Sequence, residues 1–200
     1  MKKTIIILVA VLAFIVLFSI LLFSYGVSTY NRMVPLEESV NSQWSKVENQ
    51  YQRRADLIPN LVATVKGYAT HESSTLEAVV AARAKATQMT IDPKNLTPEK
   101  LQEYQQVQGQ IGAALGRLMM IKESYPELKA NQNFLELQAQ LEGTENRIAV
   151  ERNRFNDEAK NFNIAIRKFP ASFIASITGF KTKPYFEAEK GSEKAPAVKF

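Results

Sequence analysis

Catalysis needs groups that hold, give or take a charge at a fixed spacing, and this 200-residue chain offers few of them. It has no cysteine and a single histidine, His71. Without cysteine there are no thiolate metal sites, thiol nucleophiles, disulfides or lipidated cysteine anchor. His71-Glu72 opens like the helical zinc-protease motif, but Thr75 stands where the second histidine ligand belongs. A di-iron bundle needs Glu-x-x-His on two helices, which one histidine cannot supply. No glycine-rich phosphate loop is present, and no Ser or Thr carries a nucleophile signature. The sequence therefore assigns no catalytic, cofactor-binding or metal-binding residue, no cofactor and no small-molecule substrate.

What remains is a set of charged side chains on apolar lanes. Glu72 falls in the lane Ile58, Val65, Glu72, Val79, Ala86, and Arg83 in the lane Val62, Ala69, Leu76, Arg83. A buried charge without a partner is costly, so both are expected to pair across helices, Glu72 with Arg147, Arg152 or Arg154. With Arg53, Arg54 and Arg154 they form the candidate polar set, read either as register-fixing ion pairs or as a groove for a partner peptide or helix. Gly109, Gly112 and Gly116 share one helical face, which predicts close approach of a neighbouring helix rather than a ligand niche. His71 reads as a helix-surface residue.

The elements that position these groups begin with a membrane span. No residue between Lys3 and Arg32 is charged, and Thr4 to Phe23 is almost entirely aliphatic or Phe. A helix over residues 4–25 reaches about 33 Å, the thickness of a bilayer's hydrocarbon core, and satisfies its own backbone there. Ser24-Tyr25-Gly26 could pass for a signal-peptide cleavage site, but the apolar run exceeds the about 7–15 residues of a signal core. Tyr25 and Tyr30 suit an interfacial aromatic belt. Lys2 and Lys3 outweigh Arg32, so the positive-inside rule puts the amino terminus in the cytoplasm and the bulk of the chain beyond the cell (inner) membrane. The net charge of +5 is spread among alternating acids and bases, which reads as a solvated surface and not a nucleic-acid footprint.

The rest of the chain reads as helix. One face carries Leu36, Val40, Trp44, Val47, Tyr51 and Ala55, starting near Pro35 and broken at Asp56-Leu57-Ile58-Pro59. A second helix, capped by Asp56, buries Leu61, Val62, Val65, Ala69, Leu76, Val79 and Val80. A third begins with Thr97 as cap and Pro98 at its first position, with Leu101, Tyr104, Val107, Ile111, Leu115, Leu118 and Met119 as its stripe. A fourth has Asn133 as cap with Glu136 three residues on, and places Phe134, Leu141, Ile148, Phe155, Phe162 and Phe169 at seven-residue intervals. The expected fold is all-α: a transmembrane helix over 4–25 after a short segment 1–3, then an antiparallel up-and-down four-helix bundle of long helices over 26–186. Residues 171–186 form an apolar flap, and 187–200 a disordered tail with little to bury. Phe173, Ile174, Ile177, Phe180, Lys181 and Lys183 are the candidate membrane-interface residues, since apolar and basic groups together suit anionic lipid.

Several stretches also carry a resemblance. Tyr30-Asn31 through Trp44, Arg53-Arg54-Ala55-Asp56-Leu57-Ile58-Pro59-Asn60-Leu61-Val62, Lys66-Gly67-Tyr68-Ala69-Thr70-His71-Glu72 and Ala82-Arg83 resemble the LemA family. Arg154-Phe155-Asn156, Asn161-Phe162-Asn163, Phe169-Pro170 and Gly179-Phe180 resemble its carboxy-terminal pattern. The resemblance implies a bacterial single-pass membrane protein with a helical bundle, and it lends no catalytic residues. Family descriptions often place the short amino terminus outside the cell, against the charge argument.

The function expected is a membrane-anchored interaction or scaffold module whose partners are the bilayer and other membrane proteins, or further copies of itself. One alternative is an envelope-associated enzyme with carboxylate or Lys chemistry inside the bundle. Another is an oligomeric membrane-remodelling assembly, which requires an exposed apolar patch.

Overall fold

The computed structural model describes residues 2–187, so the tail beyond Glu187, expected to be disordered, lies outside the described residues. All the regular elements described are helical: α1 (Lys2–Lys66), α2 (Ser73–Thr87), α3 (Pro98–Ile121), α4 (Pro126–Lys129), α5 (Gln132–Arg167) and α6 (Ala171–Thr178), with short 3₁₀ turns at Pro93–Asn95 and Lys122–Ser124. The amino-terminal part of α1 is long and apolar enough to cross a membrane, and its large side chains from Ile5 to Phe23 are exposed.

The expected break at Asp56–Pro59 does not occur. α1 runs through both Pro35 and Pro59 to Lys66. A proline inside a helix removes one hydrogen bond and crowds the carbonyl four residues back, at a cost of about 3 kcal/mol. Here both rings face outward, while the buried Met33, Val40, Ile58 and Leu61 hold the flanking turns in the core. Asp56 is accordingly no cap. Its carboxylate accepts from Gln52 Nε2 one turn earlier on the same helix, at 2.8 Å.

The described residues form two compact units, 2–40 with 158–182, and 41–157 with 183–187. The core of the first contains Met33, Val40, Ala159, Phe162, Ile166, Ala171 and Ala175. α6 ends at Gly179, whose φ of +82° is the left-handed cap that glycine adopts without strain.

The second unit buries Ile58, Leu61, Val65, Leu76, Val79, Ile111, Leu118, Leu128, Phe134 and Leu141 in one cluster fed by α1 to α5. Within it α1 and α5 run antiparallel, because Gln43 meets Glu151 while Arg54 meets Glu145. α1 and α3 run parallel, because Trp44 and Tyr51 meet Tyr104 and Arg54 meets Gln108. Thr97 caps α3 as expected, accepting from the Lys100 amide. The cap of α5 is Asn131 rather than Asn133: its Oδ1 accepts from the Phe134 amide at 2.9 Å. Phe134, Leu141, Ile148, Phe155 and Phe162 of the heptad lane are buried, but Phe169 lies past the end of α5 and is 89% exposed. Val80, expected in the core, is exposed. The glycine face of α3 has no close neighbour either, since a Cβ at Gly109, Gly112 or Gly116 would meet nothing within 4 Å.

Candidate functional sites: a polar seam, a carboxy-terminal strap and an apolar groove

The polar seam centres on Arg54, which is 4% exposed at the middle of the α1–α3–α5 interface. One guanidinium nitrogen donates to Glu145 Oε1 at 2.7 Å. The other donates to the Gln108 backbone carbonyl at 3.0 Å and to Gln108 Oε1 at 2.7 Å. The guanidinium also lies 5.1 Å from the centroid of the Tyr51 ring. The fork of five donors is the reason an arginine fits here: it satisfies acceptors on two helices at once. About three turns earlier on α1, Gln43 Nε2 donates to the carboxylate and backbone carbonyl of Glu151.

Arg83 answers the proline in α1. Pro59 has no N–H, so the carbonyl of Ala55, four residues earlier, lacks its helical donor. Arg83 Nε donates to that carbonyl at 2.8 Å. Its placement on an apolar lane thus serves the backbone and not a carboxylate. Arg83→Met should lower stability by about 1–3 kcal/mol, the cost of an unsatisfied buried acceptor. In a Pro59→Ala background, where the helix itself supplies the donor, the same substitution should cost much less. Thermal unfolding of the four proteins in one detergent checks this, and equal losses in both backgrounds would refute it.

The other members of the polar set are dispersed. Arg53 is exposed, and Arg154 sits at the surface paired with Glu151 one turn away, at 2.7 Å. Glu72 does not meet an arginine. It lies in the turn after α1, where the Tyr125 hydroxyl donates to it at 3.4 Å, because the early end of α1 at Lys66 carries it out of the seam. His71 is exposed in that same turn.

A strap formed by residues 183–187 closes the aromatic side of the second unit. Phe186 stacks on Trp44 with ring centroids 5.9 Å apart and meets Phe155 edge-on at 5.4 Å. Asn156 fixes its backbone from both sides, Nδ2 donating to the Phe186 carbonyl at 2.9 Å and Oδ1 accepting from its amide at 2.8 Å. The Arg152 guanidinium covers the ring face at 4.9 Å. Lys183 departs from the membrane-interface expectation: it is 4% exposed, with Nζ donating to the Pro93 carbonyl at 3.3 Å. A buried ammonium tied to a backbone carbonyl is not offered to lipid headgroups.

In the first unit a groove of about 780 Å³ lies between α1 and α6, lined almost wholly by apolar atoms of Leu22, Phe23, Tyr30, Phe173, Ile174 and Ile177 among others. α6 packs close to α1 at Gly26, where a Cβ would lie 3.7 Å from Ile174. Phe180 is half-buried between Phe162 and Tyr30, at 5.9 and 5.6 Å. Phe173 and Ile177 instead are 66% and 69% exposed, and Lys181, Arg167, Lys168 and Arg32 are exposed in the same unit.

Among the described residues no cluster of His, Cys, Asp and Glu could hold a metal ion. Residues 43–200 match the LemA family. The chain belongs to the LemA family. It is 31% identical over 186 residues to the magnetosome protein MamQ of Magnetospirillum gryphiswaldense, an overlap of 84% of this chain and 68% of that one. A MamQ of Paramagnetospirillum magneticum is 30% identical over the same shares of the two chains. Protein LemA of Metamycoplasma hominis is 24% identical over 180 residues, covering 90% of this chain and 78% of its own. In this LemA-family chain sequence reasoning passed over Gln108 and Glu145, and met Asn156 only within the LemA-like Arg154-Phe155-Asn156, without a role. Each acts through a neighbour 30 or more positions away and leaves no local spacing to read.

Proposed function

We propose that this LemA-family chain is a single-pass protein of the cell (inner) membrane whose helical part serves as an interaction module, seated at the bilayer by α6 as well as by the span in α1. The observation that carries the reading is the groove between α1 and α6. Its lining begins with Leu22 and Phe23, within the apolar run of α1, and continues into Phe173 and Ile177, whose exposed side chains would be costly to leave in water. Basic side chains at Arg32, Arg167, Lys168 and Lys181 suit the headgroup level of anionic lipid. Lys2 and Lys3 before the span support a cytoplasmic amino terminus with the helical units on the other side. Partners are then other membrane or envelope proteins, or further copies of the chain.

Because the chain has no cysteine, single labels can be placed at will. Nitroxides introduced at Phe173→Cys and Ile177→Cys, in the full chain in nanodiscs with anionic lipid, should be reached by oxygen and shielded from a water-soluble nickel complex. A label at Asn153→Cys should show the reverse. Equal nickel accessibility at all three positions would remove α6 from the membrane. Proximity crosslinking in native membranes names the partners, and a membrane-impermeant maleimide reads which side position 153 occupies.

A further inference from the structure

The second unit contains a cleft beside the polar seam, with which it shares Tyr51 and Gln108. It has a volume of about 300 Å³ and opens between α1, the end of α2 and α3. Tyr51 and Tyr104 supply aromatic walls, Asn49, Thr87 and Thr90 bring acceptor oxygens, and Glu48 is the one charged side chain in its lining among the described residues. Burial raises the Glu48 carboxyl above the ordinary range, opposed only by the Trp44 indole N–H, which makes no well-formed hydrogen bond. Of the two guanidinium groups in the neighbourhood, Arg54 is bonded to Glu145 and Gln108 and lies on the Tyr51 ring at 5.1 Å, and Arg83 is bonded to the Ala55 carbonyl; neither is paired with Glu48.

A partly desolvated carboxylate with no ion pair among the described residues, beside two electron-rich rings, is the complement of a positive head on an apolar stem. An anion would be repelled by Glu48, and a neutral apolar ligand would bury that carboxylate further without compensation. We propose that this cleft binds an alkylammonium group, with Glu48 as its counter-ion and Tyr51 and Tyr104 packing along its stem. The group can come from a free amine or from a lysine side chain on a partner protein. The inference is independent of how α6 meets the membrane.

Trp44 is the only tryptophan of the chain, so its emission reports directly on events at Glu48. In the full chain in nanodiscs, n-butylammonium and N-acetyl-lysine-methylamide should each give a saturable change, matched by titration calorimetry, while n-butanol and butyrate give none. Glu48→Gln should weaken both cations about tenfold or more, the scale of a lost charged partner. Thr90→Lys, which puts an ammonium of its own into the cleft, should block binding while circular dichroism shows the helices intact. Tighter binding of the lysine derivative points to a partner protein, and tighter binding of butylammonium to a free amine. Absence of a saturable response, an unchanged affinity in Glu48→Gln, or equal binding of butanol would overturn the proposal.

Discussion

Phe155→Ala lowers the melting temperature of the full chain by roughly 6–20 °C, from a loss of about 3–5 kcal/mol at about 2–4 °C per kcal/mol for a chain of this size. The ring is 0% exposed and sits where two parts of the chain converge, 5.6 Å from Trp44 on α1 and 5.4 Å from Phe186 on the strap. Truncation removes contacts to both and leaves a void between side chains held in place by others: Trp44 by Tyr104, Phe186 by Asn156. Collapse into the void is therefore limited, which is the condition for a cost near the top of the range. Phe169 shares the same seven-residue lane but is 89% exposed, so Phe169→Ala should change stability by no more than about 0.5 kcal/mol in a detergent that does not bind it. His71→Ala, in an exposed turn, should behave likewise. A melting temperature unmoved by Phe155→Ala would mean that the aromatic cluster is not a packed core.

The contrast between Phe155 and Phe169 also shows what the sequence could and could not disclose. Helix class, the apolar run before Arg32 and the start of α3 are written in local signals: unbroken hydrophobicity, 3.6-residue periodicity, and Thr97 followed by Pro98. Where a helix ends is decided by tertiary partners. Pro59 is a breaker by its own chemistry, and only the distant Arg83, donating to the Ala55 carbonyl, relieves the bond it deletes. Asn133 has the residue type and spacing of a cap, yet Asn131 two positions earlier makes the bond. For the sites, Arg54, Glu72 and Arg83 were marked by their charge, but charge does not name a partner. Those of Arg54 lie 54 and 91 residues away, that of Glu72 is a tyrosine, and that of Arg83 is a carbonyl. Lys183 and Lys181 look equivalent in sequence, and only the path of the strap separates a buried ammonium from an exposed one.

Arg54→Ala is expected to destabilise the second unit by about 1–3 kcal/mol, through what it strands rather than what it deletes. With the guanidinium gone, the Gln108 side-chain oxygen, 6% exposed with its residue, and the Gln108 carbonyl lose a donor inside the α1–α3 interface. Arg54→Lys should recover little, because an ammonium is a point donor and cannot reach Gln108 and Glu145 together in the geometry of a fork. Glu145→Gln should be far milder: the Glu145 side chain is 46% exposed, so water already supports it, and a neutral amide oxygen can still accept from Arg54. Removing both buried partners is the decisive case. Arg54→Met with Gln108→Leu takes away donor and acceptor together and leaves apolar groups of similar length, so the double variant should be more stable than Arg54→Met alone. Thermal unfolding followed by circular dichroism in one detergent measures all five proteins. If Arg54→Met and the double variant melt together, the Gln108 acceptors are being satisfied by water, and the seam is a solvated surface instead of a buried junction between α1 and α3.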